Sequence, residues 1–330
     1  MKRRAFSLST LGLAAAGLLG PALVHAQDPT SAPPIRILVG FPAGGSTDAL
    51  ARHIAHDMSS ALKRNVVVEN KPGAGGQLAA NALKAAAPDG NTLFFSNSHA
   101  LAMIPLTVRN PGYDTLKDFA PVALATLSAD VMAVNPKVVG PNVHNLSSFL
   151  QWVAANPGKG NVGVPAPLSD PDFGVRLLAT ELKTPLTPAP YRGDGPVAQD
   201  LVAGHIPAGI GSVGVMMQYH KLGQVRIIAV ESPRRLAELP DVGTYVEQGL
   251  KGYLTTGYTG MLAPAGTPKD IIARYNSVIS TIVKAPQFAT RVESLGVTPT
   301  ASTPEEFGTR IQDTQKAFRD VLQRVNFKME

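Results

Sequence analysis

Between positions 35 and 58 the chain reads Ile35-Arg-Ile-Leu-Val-Gly-Phe-Pro-Ala-Gly-Gly-Ser-Thr-Asp-Ala-Leu-Ala-Arg-His-Ile-Ala-His-Asp-Met58. The run from Ile35 to Val39 is apolar without helical spacing, which predicts a short buried strand. Pro42 and the pair Gly44-Gly45 interrupt this run, and apolar residues then recur at one-turn spacing, at Leu50, Ile54 and Met58. The segment therefore predicts a strand, a glycine turn and an amphipathic helix in direct succession.

The glycine turn before this helix is suited to binding an anion. The first N–H groups of a helix have no intrahelical acceptor, and the positive end of the helix dipole lies at the same place. Gly44 and Gly45 carry no side chain that would keep a negatively charged group away from the main chain. The turn alone is compatible with phosphate, nucleotide or carboxylate, but it lacks the Gly-Lys-Ser/Thr ending of a P-loop.

The same order of strand, turn and helix recurs in the next fifty residues. A strand-like run at 66–70, which begins with three valines, is followed by a glycine-rich turn at 72–76 and an alanine-rich helix at 77–87, and a run at 92–95 is followed by a polar turn at 96–99. This alternation predicts a parallel sheet covered by helices. Ligands bind beyond the carboxyl ends of such strands, so we expect the turns 41–48, 72–76 and 96–99 to converge on one cleft.

A second series begins after a strand predicted at 131–134. It comprises a helix at 148–155, a strand at 161–164, a helix at 174–182, a turn at 190–196, a helix that ends at Ala203 and a strand at 225–230. The last part of the chain predicts a strand at 258–262, a turn at 263–268 and helices at 271–283 and 304–325. At 330 residues and 44% hydrophobic, the chain is long enough for two domains with separate cores.

Residues 1–26 predict an export signal. Lys2, Arg3 and Arg4 precede an apolar run from 11 to 24, and small residues at 24–26 predict cleavage before Gln27. The Arg3-Arg4 pair also resembles a twin-arginine signal. We therefore expect the mature chain to lie in the periplasm.

Composition argues against several classes of function. The formal net charge is +6, three of which come from the basic residues of the predicted signal, and no Lys/Arg cluster is interleaved with the few aromatic residues. We therefore expect no nucleic-acid partner. The chain has no cysteine, which excludes disulfides, thiolate metal sites and cysteine nucleophiles. His53 and His56 lie one turn apart without a third ligand at a recognised spacing, so we expect a solvated helix face, no metal and no cofactor.

Seven segments, in order along the chain, resemble the extracytoplasmic solute-binding receptors of tripartite tricarboxylate transporters, the Bug family. They are Val39-Gly-Phe-Pro-Ala-Gly-Gly-Ser-Thr-Asp48, Glu69-Asn-Lys-Pro-Gly-Ala-Gly-Gly76, Tyr113-Asp-Thr-Leu-Lys-Asp-Phe-Ala-Pro-Val122, Ala155-Asn-Pro-Gly-Lys159, Tyr191-Arg-Gly-Asp-Gly-Pro196, Leu239-Pro-Asp-Val242 and Leu262-Ala-Pro-Ala-Gly-Thr-Pro268.

The resemblance implies a type II periplasmic-binding-protein fold: two Rossmann-like α/β lobes joined by two crossover strands, with the ligand cleft between them. Lobe 1 would comprise 27–128 plus 256–330, and lobe 2 would comprise 129–255. It further implies a non-enzymatic receptor, expected to be a monomer, that closes on a small carboxylate and delivers it to the membrane subunits of a transporter.

The resemblance also implies which residues line the pocket. From lobe 1 these are Phe41, Gly44, Gly45, Ser46, Thr47, Asp48, Ser96, Asn97, Ser98 and His99; from lobe 2 they are Pro165, Ala166, Tyr191, Arg192, Gly193 and Ser212. The lobe 2 side departs from the family pattern, since 164–172 has a divergent sequence and Arg192 stands where lysine is usual. The ligand is therefore open between dicarboxylates, aromatic carboxylates and acids that bear an amine or amide.

Alternatives remain for the function and for single motifs. An exported α/β hydrolase or dehydrogenase would use the same cleft for chemistry, and a receptor of this kind could also serve signalling.

Gly209-Ile-Gly-Ser-Val-Gly214 matches the dinucleotide pattern GxGxxG, but we expect a ligand-facing turn. Asp48 either complements the helix dipole or accepts a hydrogen bond from water or from a ligand amine. Arg192 either is a solvated surface residue or grips a carboxylate through two parallel hydrogen bonds.

Overall fold

A computed structural model of the chain describes residues 33–250 and 256–329, and the predicted export signal lies outside the described residues. Eleven strands, numbered in chain order, form two sheets within these ranges. The first sheet contains β1 (Ile35–Val39), β2 (Val66–Asn70), β3 (Thr92–Asn97), β4 (Phe119–Ser128), β10 (Gly257–Pro264) and β11 (Val297–Pro299). The second contains β5 (Asp130–Val134), β6 (Asn161–Val164), β7 (Thr187–Pro190), β8 (Ala208–Ser212) and β9 (Arg226–Glu231). Each sheet is the centre of one lobe.

Helices cover both sheets. They are α1 (Ser46–Leu62), α2 (Gln77–Lys84), α3 (Ile104–Thr107), α4 (Thr115–Asp118), α5 (Pro136–Val139), α6 (Leu146–Ala155), α7 (Asp170–Glu181), α8 (Asp194–Ala203), α9 (Val213–Lys221), α10 (Lys269–Lys284), α11 (Pro286–Val292) and α12 (Pro304–Arg324). The helical repeat of the opening segment is confirmed, because Leu50, Ile54 and Met58 are all buried against the first sheet. Among the described helices, none combines the length and the apolar character that crossing a bilayer requires.

The predicted parallel pairing is present in both sheets, but each sheet also contains antiparallel strands. The strand order is β11-β4-β10-β3-β1-β2 in the first sheet and β7-β6-β8-β5-β9 in the second. The pairs of β1 with β2 and β3, and of β6 with β7 and β8, are parallel, whereas β10 and β5 are antiparallel to both of their neighbours.

Strands β5 and β10 are those at which the chain enters a lobe from the other lobe, whereas β11 is a short strand that pairs antiparallel with β4 at the edge of the first sheet. Strand β4 ends at Ser128, and β5 begins in the second sheet two residues later. A strand that enters from the other lobe must start at the edge where the remaining strands end. For the same reason β10 starts beside the end of β3, with Thr259 opposite Asn97. These crossings place the carboxyl ends of β1, β2 and β3 and those of β6, β7 and β8 on the edges that the two lobes turn toward each other.

Helix α12 packs against both lobes. It begins at a capping box, in which Thr303 and Glu306 each accept the other's backbone N–H. Its first turns bury Phe307 and Ile311 in the core of the first lobe, and its later turns bury Phe318 and Val321 in the core of the second sheet. The helix thus packs across the boundary between the two lobes and contacts the core of each.

The lobes also touch through two glycines. A Cβ atom on Gly214, the second residue of α9, would lie 2.6 Å from the Cα of Gly296, which directly precedes β11. A Cβ on Gly296 would lie 2.2 Å from the Gly214 nitrogen. The backbones of the two lobes therefore meet here at a distance that only glycine permits.

Candidate functional site

The turn between β1 and α1 leaves the start of the helix open. The N-cap residue is Gly45, which has no side chain to accept a hydrogen bond, and the first bond of the helix runs from the Ala49 N–H to the Gly45 carbonyl at 2.9 Å. The N–H groups of Ser46 and Thr47 thus come before the first donor of the helical ladder and have no acceptor within the helix. Ser46 is exposed and Thr47 is buried. This end of α1 offers main-chain donors and the positive end of the helix dipole to an anion.

Asp48 holds this turn in place through hydrogen bonds, and we call the hydrogen-bonded aspartate and its partners a latch. Its Oδ2 accepts the Gly44 N–H and the Arg52 Nε–H, both at 2.9 Å, and its Oδ1 accepts the Asn70 amide at 2.8 Å. Burial alone would raise the pKa of the Asp48 carboxyl, but the hydrogen bonds from Arg52, Gly44 and Asn70 outweigh burial and lower that pKa below its usual value.

Asn70 completes a closed network around Asp48. Its amide also donates to the Phe41 carbonyl at 3.1 Å, and its Oδ1 accepts from Arg52 at 3.0 Å. Arg52 and Asn70 were not predicted as parts of the site. Asn70 is the last residue of β2, so its position at a strand end was the signal that could have identified it.

The three predicted turns of lobe 1 converge, as expected. A Cβ on Gly40 would lie 2.6 Å from the Cα of Gly76, and the Phe41 ring also lies beside Gly76. A Cβ on Gly75 would lie 3.0 Å from His99 Nε2. The turns that follow β1, β2 and β3 therefore meet at one edge of the first sheet.

The third turn carries polar atoms that have no partner. Ser96 is fully buried, and neither its Oγ nor the buried Nδ1 of His99 has a hydrogen-bond partner within the described residues. Burial lowers the pKa of His99 to about 4, so the imidazole is neutral at pH 7. Asn97 Oδ1 accepts the Ala100 N–H at 3.3 Å, and Ser98 is half-buried. This turn can hydrogen-bond a ligand but contributes no charge.

The predicted residues of lobe 2 lie on the carboxyl ends of its parallel strands. Pro165 and Ala166 follow β6, Tyr191 to Gly193 follow β7, and Ser212 ends β8. Backbone bonds tie the first two loops together, from the Tyr191 N–H to the Val164 carbonyl and from the Gly193 N–H to the Pro165 carbonyl, both at 2.8 Å.

Two side chains of this edge differ in their freedom to bind a ligand. The Tyr191 hydroxyl donates to Asp200 at 2.8 Å, and burial together with this carboxylate raises the pKa of Tyr191 to about 12. Arg192 is exposed and forms no ion pair or hydrogen bond with residues 33–250 or 256–329. The Tyr191 hydroxyl proton is thus already used, and its oxygen can only accept, whereas the Arg192 guanidinium is free of partners among the described residues.

Sequence reasoning missed two carboxylates at the same edge, Asp130 and Asp194. Asp130 is the first residue of β5 and stands opposite Ser212 on one side and Glu231 on the other. Ser212 Oγ donates to Asp194 Oδ2 at 2.8 Å. Burial, followed by the charges of Asp194 and Asp170, raises the pKa of Asp130 well above its usual value, and burial also raises the pKa of Asp194 against the hydrogen bonds from Ser212. Only the reversed direction of β5 brings Asp130 to the edge where the other strands end.

The competing motifs have ordinary structural roles. Gly209 and Gly211 lie inside β8 and Gly214 lies inside α9, so the glycine pattern forms no phosphate-binding loop between a strand and a helix. The predicted ligand-facing turn at 209–214 is likewise a strand followed directly by a helix. Asp57, beside His56, pairs with Arg291. Across the described ranges, no group of three or more histidine, aspartate or glutamate side chains is placed to hold a metal ion.

Comparison with known proteins gives a consistent assignment over most of the chain. Residues 50–327 match the sequence model of the tripartite tricarboxylate transporter family receptor. The chain is similar to protein BugT of Bordetella pertussis, with 28% identity over 98% of both chains. It is also similar to a protein encoded in the TAR-I ttuE-ttuC' intergenic region of Agrobacterium vitis, with 32% identity over 85% of this chain and 80% of that one.

Solved structures agree with this assignment. The periplasmic binding protein BugD superposes with a TM-score of 0.76 at 26% identity, over 90% of this chain and 99% of that one. MatC from Rhodopseudomonas palustris with bound malate superposes with a TM-score of 0.74 at 30% identity, over 87% and 98%. The two-lobed periplasmic-binding-protein fold is therefore confirmed, and the chain belongs to the tripartite tricarboxylate transporter receptor family, the Bug family of solute-binding proteins.

Proposed function

We propose that this protein is a periplasmic receptor that binds a small carboxylate between its lobes and delivers it to the membrane subunits of a tripartite tricarboxylate-type transporter. The observation that carries the proposal is the open start of α1, where Gly45 provides no cap and the Ser46 and Thr47 amides stay available to an anion. MatC, a relative at 30% identity, has a structure with bound malate, which supports a carboxylate as the ligand class.

The latch at Asp48 favours a carboxylate in this turn. A carboxylate side chain that pointed at an anionic ligand would repel it, but the charge of Asp48 is balanced by Arg52 and directed at Gly44 and Asn70. The latch uses the Gly44 N–H itself, so the donors that remain are those of the first helical turn. Ser96, Ser98 and neutral His99 would add hydrogen bonds around the same group.

A second concave surface suits a carboxylate less well. A groove of about 750 Å³ runs beside the first turns of α12, and its lining includes Glu305, Glu306 and Asp313. Three carboxylates around one groove disfavour an anionic ligand, despite the presence of Arg310. We therefore assign the ligand to the facing strand ends rather than to this groove.

Closure of the two lobes would make binding selective. We assign 27–128 plus 256–330 to lobe 1 and 129–255 to lobe 2, with crossings at β4–β5 and before β10. A ligand that touches both lobes only in the closed state stabilises that state by the difference in contacts. Arg192, exposed and free on lobe 2, would reach the ligand on closure.

Calorimetric titration of the purified protein with a panel of mono- and dicarboxylates tests the receptor function. We expect saturable binding of at least one compound, an accompanying rise in Tm and recovery of the compound unchanged. Recovery of a chemically altered product would instead support the alternative of an exported enzyme. Loss of uptake of the labelled compound after deletion of the membrane subunits would support transport, whereas unchanged uptake would favour a signalling role.

A further inference from the structure

The two lobes contain the same latch at equivalent places. In lobe 2, Asp172 Oδ2 accepts the Leu168 N–H at 2.9 Å, and Asp172 Oδ1 accepts the Arg176 Nε–H at 2.5 Å. In lobe 1, Asp48 likewise accepts from the N–H four residues before it and from the arginine four residues after it, both through Oδ2. Each lobe thus fastens the turn that leads from one of its parallel strands into a helix.

The two helix starts differ in what they offer a ligand. The N-cap of α1 is glycine, so its first amides are open. The N-cap of α7 is Ser169, whose side chain already accepts the Asp172 N–H at 3.3 Å. The next two residues are Asp170, which is negatively charged, and Pro171, which has no N–H. The lobe 2 counterpart of the anion turn is therefore closed to anions.

The strand ends beside α7 hold two carboxyl groups, those of Asp130 and Asp194, that have no cationic partner among the described residues. Ser212 stands opposite Asp130 on the neighbouring strand and donates to Asp194 Oδ2 at 2.8 Å, so the two carboxyl groups lie close together. Within the described residues, the Ser212 hydroxyl is the one side-chain hydrogen-bond partner of Asp194. Neither carboxylate forms an ion pair with any other described residue. The ionised form of a partly buried carboxyl without a cation is costly, which is why the pKa of each group is raised, and a cation that arrived beside them would favour the ionised form.

An independent feature also indicates a missing polar group. Tyr245 is 2% exposed, and its hydroxyl has no hydrogen-bond partner within the described residues. Its N–H donates to the Val230 carbonyl at 3.1 Å, which places the residue beside the end of β9. Burial, followed by the charges of Glu231 and Asp130, raises the pKa of the Tyr245 hydroxyl, so this unsatisfied group lies near the same acidic strand ends.

We propose that the acidic strand ends of lobe 2, formed by Asp130 and Asp194, receive the protonated amine of the ligand. The ligand is then a small amino acid whose carboxylate lies on the open start of α1 in lobe 1. An ammonium group has three donors and no acceptor, which suits two carboxylates and a nearby hydroxyl. This inference rests on the proposed function and narrows its ligand class.

Matched pairs of ligands test the inference on the intact mature protein. Each pair shares one carbon skeleton and differs in the amine: succinate and aspartate, glutarate and glutamate, butanoate and 4-aminobutanoate, hexanoate and 6-aminohexanoate. Malate provides a hydroxyl at the position of the aspartate amine. By calorimetry at pH 7, we expect at least one amino acid to bind at least tenfold more tightly than its amine-free partner and, in the aspartate series, than malate.

Two variants then locate the subsite. Asp130→Asn and Asp194→Asn keep the side-chain shape and remove the charge, and either should reduce the tenfold preference to threefold or less. Asp241→Asn removes one charge from an exposed position of lobe 2 and should leave the preference unchanged. If one variant fails to fold, the other variant and the wild-type ratio of affinities for the amino acid and its amine-free partner still test the inference.

The outcomes separate the inference from the proposed function. If amine-free acids bind as tightly as their amino partners, the inference is wrong while the receptor function stands. If the preference survives both charge-removing variants, the assignment of the subsite is wrong. If no compound in either series binds, the proposed carboxylate receptor itself is contradicted.

Discussion

The carboxylate of Asp48 accepts the backbone N–H of Gly44 at 2.9 Å, so the helix that follows the turn holds the turn in place. Asp48 is 2% exposed, and it accepts hydrogen bonds from Arg52 of its own helix and from Asn70 of β2. The sequence left open whether Asp48 complements the helix dipole or contacts a ligand, and the structure shows it as a buried anchor of the turn between β1 and α1.

Replacing Asp48 should weaken both stability and binding. In Asp48→Asn, the amide nitrogen would face at least one of the present donors, which leaves a buried hydrogen-bonding group unsatisfied. We expect the free energy of unfolding in urea to fall by about 1–3 kcal/mol. We also expect at least a tenfold loss of carboxylate affinity by calorimetry, because the turn is no longer held.

The latch of lobe 2 provides the matched comparison. Asp172→Asn removes the equivalent charge from an equally buried site, so its loss of stability should be similar. A carboxylate affinity that falls equally in both variants would contradict a special role for the lobe 1 turn.

Bulk at Gly45 should block the anion turn without disturbing the fold. Gly45 has φ −75° and ψ 165°, which any residue adopts, and a Cβ there would lie 3.5 Å from the Pro42 carbonyl oxygen, an ordinary contact. We expect Gly45→Val to lower carboxylate affinity at least tenfold and Gly45→Ala to lower it less, with unfolding curves close to wild type. Unchanged affinity in Gly45→Val would remove the turn from the site.

The unliganded protein should gain stability when Asp130 loses its charge. An aspartate whose pKa is raised in the folded state destabilises that state when it ionises, so the penalty is present above the raised value and absent below the ordinary value of 3.8. The charged groups that act on Asp130 are Asp194 of α8 and Asp170 of α7, and Glu231 stands opposite it on β9.

Denaturation of Asp130→Asn at several pH values checks this expectation. The variant should be more stable than wild type at pH 7, and the difference should shrink as the pH falls toward 3.8. A constant difference over this range would show that Asp130 does not carry the predicted charge. The Asp241→Asn variant, at an exposed position, should show no such pH-dependent gain.

The contact between Gly214 and Gly296 should control how the lobes sit together. In Gly214→Ala the new Cβ would meet backbone atoms of Gly296 at 2.6 Å, so the lobes must shift apart. We expect a lower Tm and an altered small-angle scattering profile for the unliganded protein. Gly195→Ala is the control, because Gly195 is also the second residue of a lobe 2 helix and a Cβ there meets nothing within 4 Å. If both variants behave alike, the contact does not set the arrangement of the lobes.

Local sequence determined the strand–turn–helix units of this protein and the open helix start at Gly45, because apolar spacing, glycines and capping residues act within a few positions of one another. The seven motifs in their order along the chain indicated the receptor family and, with it, the two-lobed fold. Tertiary structure alone decided the direction of β5 and β10, and with it the place of Asp130 beside Ser212 and Asp194, since strand direction depends on how the chain crosses between lobes. It also decided the role of Asp48, whose partner Asn70 comes from a neighbouring strand 22 positions away. Such long-range pairs depend on the packing of the whole sheet, which no local pattern of residues specifies.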